Sequence, residues 1–533
     1  MQHPYHSSRQ KKDHSQAQMT MVSSTATVLL SVFLVGLTCL AIYLSHLFWL
    51  KPQRFRNKLR RQGIHGPAPS FFFGNIPDVK KIHSEMAQKR AQQGQNTDPI
   101  SNDYMSQLFP HIDKWTDDYG SVFTFTLGNM VVVCLGDLDA VKDFCQNRSP
   151  EFGRSSYIKN SRGVLFGDGI ITAKGASWVQ QRKIINPEFF PDKVKGMMKM
   201  MIESVTQLMG KWEAKVEGGG GIATLQVDED LRNLSAEVIS KTCFGNNYSH
   251  GMEIFSKMLE ILDLLSKQYS SVGIPGQKYM PTKTNREVWR LGKEVKKSIM
   301  NLMINENNGN PQNFLDVLTK NFIGSHSNRH LIVDNCKTMF FAGHETTANT
   351  ISFTLILLAH HAEWQNRARD EVVEIIKDGK ILTADMLNRM KILNMVIYET
   401  LRLYPPGPFM AKETSEEMKF GKFLIPKGVN VWLPLSALHR DPANWGADAS
   451  VFNPERFANG ISSACKLPFL FMPFGVGIRT CVGQNYAMTE LKIVLALVLS
   501  KFSFSLSPEY KHSVACKLFF KPVNAVYLKL ERI

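Results

Sequence analysis

Residues 28–50 read VLLSVFLVGLTCLAIYLSHLFWL, with no Asp, Glu, Lys or Arg and with His46 as the one side chain able to carry charge. About 20 apolar residues cross the hydrocarbon core of a bilayer, so the stretch predicts a transmembrane helix and makes everything downstream a tethered body. It is longer than the apolar region of about 7–15 residues in a cleaved signal peptide, and it ends in bulky His46, Leu47, Phe48, Trp49 and Leu50. Retention as an anchor follows. Lys51, Arg54, Arg56, Lys58, Arg60 and Arg61 come next, whereas the preceding tail has only Arg9, Lys11 and Lys12 against Asp13, a bias that puts the C-terminal bulk on the cytosolic side. The chain divides into a short polar tail (1–20), an anchor helix (21–50), a basic linker (51–66) and a body (67–533). Gly66-Pro67-Ala68-Pro69 is a stiff connector that cannot continue a helix.

The body has no long Pro/Ser-rich linker and no repeat, so one large domain fits it best. Loops are expected at residues 218–221 and in the Asn-rich stretch 305–313. Helical periodicity dominates the middle. Short apolar runs near 122–127, 130–135, 422–426 and 429–433 read as strands, the last two joined by a turn at Lys427-Gly428. The fold class is therefore mostly α with small β-sheets, preceded by one transmembrane helix. A net charge of +16 favours acidic partner surfaces, but no aromatic-interleaved basic cluster accompanies it, so nucleic acid is not expected. The eight cysteines include no C-x-x-C pair, which argues against a disulfide framework and a zinc ribbon.

Three segments carry chemistry. Residues 330–361 predict a long core helix interrupted by Ala342-Gly343-His344-Glu345-Thr346-Thr347, polar groups that need partners when desolvated. A Thr hydroxyl there can bond the carbonyl one turn back. Residues 393–404 predict a second helix, stopped by Pro405-Pro406, with Glu399 and Arg402 on one face. Phe474-Gly475-Val476-Gly477-Ile478-Arg479-Thr480-Cys481-Val482-Gly483 is a Gly-rich loop leading into the helical pattern 484–501. A thiol at the start of a helix is favoured as thiolate by the helix dipole and backbone N–H groups. Each fragment alone has an ordinary alternative: threonines satisfied in a core, an ion pair on the surface, a structural cysteine.

Together they run in a familiar order. Trp178-x-x-x-Arg182, Ala342-Gly343-x-Glu345-Thr346-Thr347, Glu399-x-x-Arg402, Pro454-Glu455-Arg456-Phe457 and Phe474-x-x-Gly477-x-Arg479-x-Cys481-x-Gly483 resemble the motifs of the cytochrome P450 family of haem-thiolate monooxygenases. The resemblance covers the body, the anchor and the hinge, and implies that family's mostly helical fold with small sheets. It implies haem b with Cys481 as the axial thiolate and metal ligand. Glu345 and Thr346 would deliver protons to O2, beside Ala342 and Gly343. Trp178, Arg182 and Arg479 would hold the haem propionates, with Phe474 and Gly483 completing the cofactor loop, and Glu399, Arg402 and Arg456 would form a structural ion-pair network. Glu345 stands where many relatives have Asp, and Lys412 where many have a propionate-binding Arg. NADPH would act through a separate NADPH-cytochrome P450 reductase, since no G-x-G-x-x-G lies between a strand and a helix. Lys174, Arg182, Lys183 and Lys492 could meet that acidic flavoprotein. The body would face the cytosol from the endoplasmic reticulum membrane. Phrases such as Leu108-Phe109-Pro110-His111 and Val333-Asp334-Asn335-Cys336-Lys337 resemble the plant clan that oxidises gibberellins and related diterpenoids, so the substrate would be a small hydrophobic isoprenoid. The alternatives are a triterpenoid or other plant hormone oxidase, or a reductase-independent haem-thiolate isomerase or dehydratase.

Overall fold

A computed structural model of the chain describes residues 5–93, 100, 104–245, 248–267, 276–305, 313–322, 328–377 and 381–533. The first four residues of the polar tail and residues 306–312 of the Asn-rich stretch lie outside them. The apolar N-terminal region is helical over Tyr5–Ser45, then passes through one π-helical turn, His46–Leu50, into a further helix, Lys51–Arg60. Thr25–Arg60 is long and apolar enough to cross a membrane, with none of its most apolar part buried by the body. The π turn sets the anchor against the body, packing Phe48 on Phe72 at 5.0 Å and Trp49 on Phe71 at 5.8 Å.

Residues expected as a basic linker are in part docked structure. Lys51–Arg60 buries Leu59 and Arg56, and Arg56 Nη2 donates to the carbonyl of Pro67 at 2.6 Å. The hinge then runs along a strand: Thr124 N–H donates to the His65 carbonyl at 2.8 Å. A Cβ at Gly66 would stand 1.8 Å from the Thr124 oxygen, so only glycine permits this approach. Asn75 seals the same edge, taking the Thr126 N–H on Oδ1 at 2.9 Å and donating Nδ2 to the Ala68 carbonyl at 2.9 Å.

That edge belongs to the largest sheet. Val122–Leu127 and Met130–Leu135 form an antiparallel hairpin; Asn430–Pro434 lies parallel beside the second strand, and Phe409–Glu413 closes the order antiparallel to it. The runs flanking Lys427-Gly428 go to different sheets, because Phe423–Ile425 pairs instead with Met418–Phe420. Thr414 fixes the divergence: its hydroxyl donates to the Pro426 carbonyl at 2.7 Å and its own carbonyl takes the Gly428 N–H at 2.8 Å. A three-stranded sheet (Ile222–Gln226, Tyr527–Arg532, Phe502–Leu506) and a hairpin of Val514–Cys516 with Phe520–Pro522 complete the β structure.

Everything else described is helical or irregular. The central helix, Arg329–His360, is buried on nearly all sides, consistent with apolar residues around its whole circumference. Among the helices packed against it are Val227–Phe244 and Gln484–Lys501, the helix that follows Cys481. Gly343 permits one of these contacts, since a Cβ there would meet Ile239 Cδ1 at 2.7 Å. Farther along, Phe353 stacks on Tyr404 with centroids 4.3 Å apart, tying the central helix to the end of the helix Lys391–Leu403. Each such fully buried aromatic or aliphatic side chain contributes roughly 1.5–3 kcal/mol to holding these helices in register.

Candidate cofactor site around Cys481

The glycine-rich loop closes on itself through the Cys481 N–H, which donates to the Phe474 carbonyl at 2.8 Å. Gly475 and Gly477 both take φ of 72°, and a Cβ at Gly477 would also press within 2.9 Å of the Cys145 carbonyl. Gly483 caps the helix Gln484–Lys501, and its backbone N–H and the nearby Arg182 charge both favour the Cys481 thiolate. Burial outweighs them and pushes the thiol above its ordinary value, reversing the sequence expectation of a depressed one. Yet Cys481 is accessible. The thiol is thus flanked by protein and still accessible.

Cations converge on the same place. Trp178, on the helix Gly175–Ile185, lies under the Arg479 guanidinium, 4.4 Å from ring centroid to Cζ. Arg479 donates to the Pro150 carbonyl at 2.7 Å and to the Ala173 carbonyl at 3.2 Å, while its buried Nε has no hydrogen-bond partner among the described residues. Burial, with the charges of Arg154 and Arg182, pushes Arg479 down to about 10. Burial, with Arg479 and Arg154, pushes Lys412 down to about 8. Lys412 sits over the rings of Phe144 and Phe152, at 4.6 and 4.7 Å. Arg182 donates to the Thr480 carbonyl at 2.7 Å. The carboxylate next along the strand from Lys412, Glu413, is committed to Lys174 at 3.0 Å. Arg479 thus sits among the charges of Arg154, Arg182 and Lys412, opposed by Glu151, an excess of cations that an anionic ligand would meet.

Arg154 and Lys412 extend the set beyond the residues singled out from sequence. Lys412 carried a signal, its spacing back from Ile425-Pro426-Lys427-Gly428. Arg154 carried none, because an Arg in a loop looks the same whether it turns inward or out.

On the central helix the polar insertion is the less buried part of a buried element: Ala342, Gly343, Glu345 and Thr346 are half-buried, and His344 and Thr347 fully buried. The Thr346 hydroxyl donates to the Ala342 carbonyl at 2.7 Å, as expected for a hydroxyl one turn on. Glu345 faces a cavity of about 430 Å³ that it lines with Asp228, Arg232, Asp263, Lys517 and Lys521. A Cβ on Gly343, next to Ala342, would meet Ile239 Cδ1 of the neighbouring helix at 2.7 Å.

Behind the loop, Glu399 and Arg402 form a two-point pair, Arg402 Nε to Oε2 and Nη2 to Oε1 at 2.7 Å each, both side chains 0% exposed. Arg402 also donates to the carbonyls of His439 and Ala449, and Arg456 Nε stands 3.5 Å from Glu399. Arg456 donates in turn to the Trp445 carbonyl at 2.7 Å. Every charge in this trio is paired, as burial requires.

An accessible thiol in a glycine loop, walled by cations short of carboxylates, suits a flat metal-bearing cofactor with acidic side arms: the fold and site define a haem-thiolate protein. The comparisons agree. Residues 102–528 match the Cytochrome P450 family. Cytochrome P450 714C2 of Oryza sativa subsp. japonica is 44% identical over 494 residues, covering 91% of this chain and 94% of that one. Cytochrome P450 714B3 of Zea mays is 42% identical, covering 95% and 96%, and cytochrome P450 714A2 of Arabidopsis thaliana is 36% identical, covering 96% and 99%. The solved cytochrome P450DA heme domain shares the fold at a TM-score of 0.69 and 21% identity, over 83% of this chain and 97% of that one. The chain belongs to the cytochrome P450 family, and is thereby a monooxygenase with thiolate-ligated haem.

Proposed function

We propose that this chain is a membrane-anchored monooxygenase that inserts one atom of O2 into a small hydrophobic plant isoprenoid, a gibberellin or related diterpenoid. The observation that carries the oxygenase chemistry is the accessible Cys481 thiol within a cluster of cations. Cys481 would ligate the iron of haem b, with Trp178, Arg182 and Arg479, and also Arg154 and Lys412, holding its propionates. Haem bound there supplies reductive activation of O2, with the thiolate donating electron density toward O–O cleavage. Glu345 and Thr346 would hold and pass protons, Glu345 from the cavity side and Thr346 through a hydroxyl already ordered on Ala342. Retention of this acid–alcohol pair favours oxygen insertion over isomerase or dehydratase chemistry. The diterpenoid reading rests on the resemblance of the sequence to the plant gibberellin-oxidising clan.

Electrons would come from NADPH through a separate reductase on the cytosolic face of the endoplasmic reticulum. Exposed Lys183 beside Arg182, Val179 and Phe190 in a groove of about 440 Å³ supports that docking. Two of the lysines considered from sequence serve other ends. Lys174 is paired with Glu413, and Lys492 is buried and donates to the Leu387 carbonyl at 3.2 Å.

The test uses membranes containing the full chain and a plant reductase, supplied with NADPH and a panel of gibberellins, kaurene-type acids and triterpenoid acids. An oxygenated gibberellin or kaurene-type product that disappears in Cys481→Ala, together with the red-shifted Soret band of the reduced carbon monoxide complex, is expected. An unchanged band in that variant would overturn the ligand assignment, and products from triterpenoid acids alone would overturn the diterpenoid reading.

A further inference from the structure

His344 is buried beside Glu345 and has no part in the chemistry above. Its side chain is 1% exposed, and Nε2 lies 2.9 Å from the carbonyl oxygen of Arg232. A carbonyl only accepts, so Nε2 carries the hydrogen. Burial keeps the ring neutral, pushing its pKa down to about 3. The lone pair therefore sits on Nδ1, an atom that is buried without a hydrogen-bond partner among the described residues. Phe255 packs on the ring at 4.0 Å between centroids. The carboxyl of Glu345 stands 3.6 Å from Nδ1. A carboxylate brings a second lone pair to that atom, whereas a protonated carboxyl brings the hydrogen it lacks.

We propose that His344 is a positioning residue for Glu345, its Nδ1 accepting the O–H of the protonated carboxyl and so favouring and orienting the loaded acid next to Thr346. The proposal rests on the reading of Glu345 and Thr346 as the proton-delivery pair. Glu345 has the freedom for the small rotation that closes 3.6 Å to a hydrogen bond: its hydrogen bond from Asn349 Nδ2 is long, at 3.5 Å. Glu345 shares its cavity with other charged groups. Arg232, Lys517 and Lys521 line it together with Asp228 and Asp263, so side chains of both signs face Glu345. Uptake of a proton from solvent forms the carboxyl O–H bond of Glu345, whose hydrogen then bonds to Nδ1; when the proton is passed on, that O–H bond breaks and the hydrogen bond to Nδ1 goes with it.

Infrared difference spectroscopy of the full chain in lipid nanodiscs, with Glu345→Gln identifying the carboxyl C=O band, reads the protonated fraction of Glu345 against pH. His344→Asn, which keeps an acceptor near the Nδ1 position, should preserve the band. His344→Phe should move the band to higher frequency and raise the ionisation constant of Glu345 by about tenfold, the worth of one hydrogen bond. His344→Leu is a second acceptor-free variant should the larger ring fail to fold. An unchanged band and midpoint in the acceptor-free variants would overturn the proposal. The underlying reading fails separately: if Glu345→Gln leaves NADPH consumption fully coupled to product, Glu345 is not the proton-delivering acid, whatever the infrared titration shows.

Discussion

Glu490→Gln should abolish most of a pH dependence built into the fold. Glu490 lies on the helix Gln484–Lys501, 0% exposed, taking the Ser235 hydroxyl hydrogen on Oε1 at 2.8 Å while Oε2 has no hydrogen-bond partner among the described residues. Burial pushes its carboxyl from 4.5 up to about 8, with the Ser235 bond opposing. The folded state therefore binds this proton more tightly than the unfolded chain. Its contribution to stability is fully present below about pH 4.5 and is lost progressively as pH rises to about 8. At about 1.36 kcal/mol per unit, the wild type should lose on the order of 4 kcal/mol relative to Glu490→Gln between pH 5 and pH 8. Glutamine brings a penalty of its own, since its amide hydrogens find no ready acceptor, but that offset does not vary with pH. Denaturant unfolding of the haem-loaded proteins in detergent, followed by the Soret band at several pH values, measures the difference. Parallel curves for the two proteins would refute the reasoning and mean that water or a local opening reaches this carboxyl.

Other substitutions probe the rest of the architecture. Glu399→Gln leaves Arg402 and Arg456 buried with a neutral partner, and should cost about 3–5 kcal/mol, seen as loss of haem-loaded protein in a thermal melt. Gly66→Ala forces a methyl group onto the Thr124 carbonyl and should destabilise by about 1–3 kcal/mol while exposing residues 51–66 to protease; unchanged cleavage would mean that the hinge is not docked. Lys412→Met removes one cation from the cofactor cluster, and haem transfer to apomyoglobin should quicken by roughly tenfold if that lysine holds a propionate.

Several elements were legible because their signals are local. The strands Val122–Leu127 and Met130–Leu135, the helix Gln484–Lys501 and the central helix fall within a residue of where the pattern of apolar positions and stops puts them. Pairing was not legible. The two runs around Lys427-Gly428 read as neighbours and went to separate sheets, because Thr414 and the strand Met130–Leu135 decided the matter from elsewhere in the chain. The Glu399–Arg402 pair shows the same limit. Its spacing says that the two side chains meet, but only packing against His439, Ala449 and Trp445 makes the meeting buried and its loss costly.

What the sequence determined by itself was the kind of protein: an apolar anchor, a helical body and an ordered series of motifs ending at Cys481. These are properties of short stretches of chain, where spacing alone fixes which groups share a turn or a face. Only the tertiary structure decided what surrounds each group. It brought Arg154 and Lys412 to Arg479, turned Gly343 toward Ile239, and left the Nδ1 of His344 facing Glu345. The physical reason is that charge state and hydrogen bonding follow local solvation and neighbours, which packing sets and sequence spacing does not.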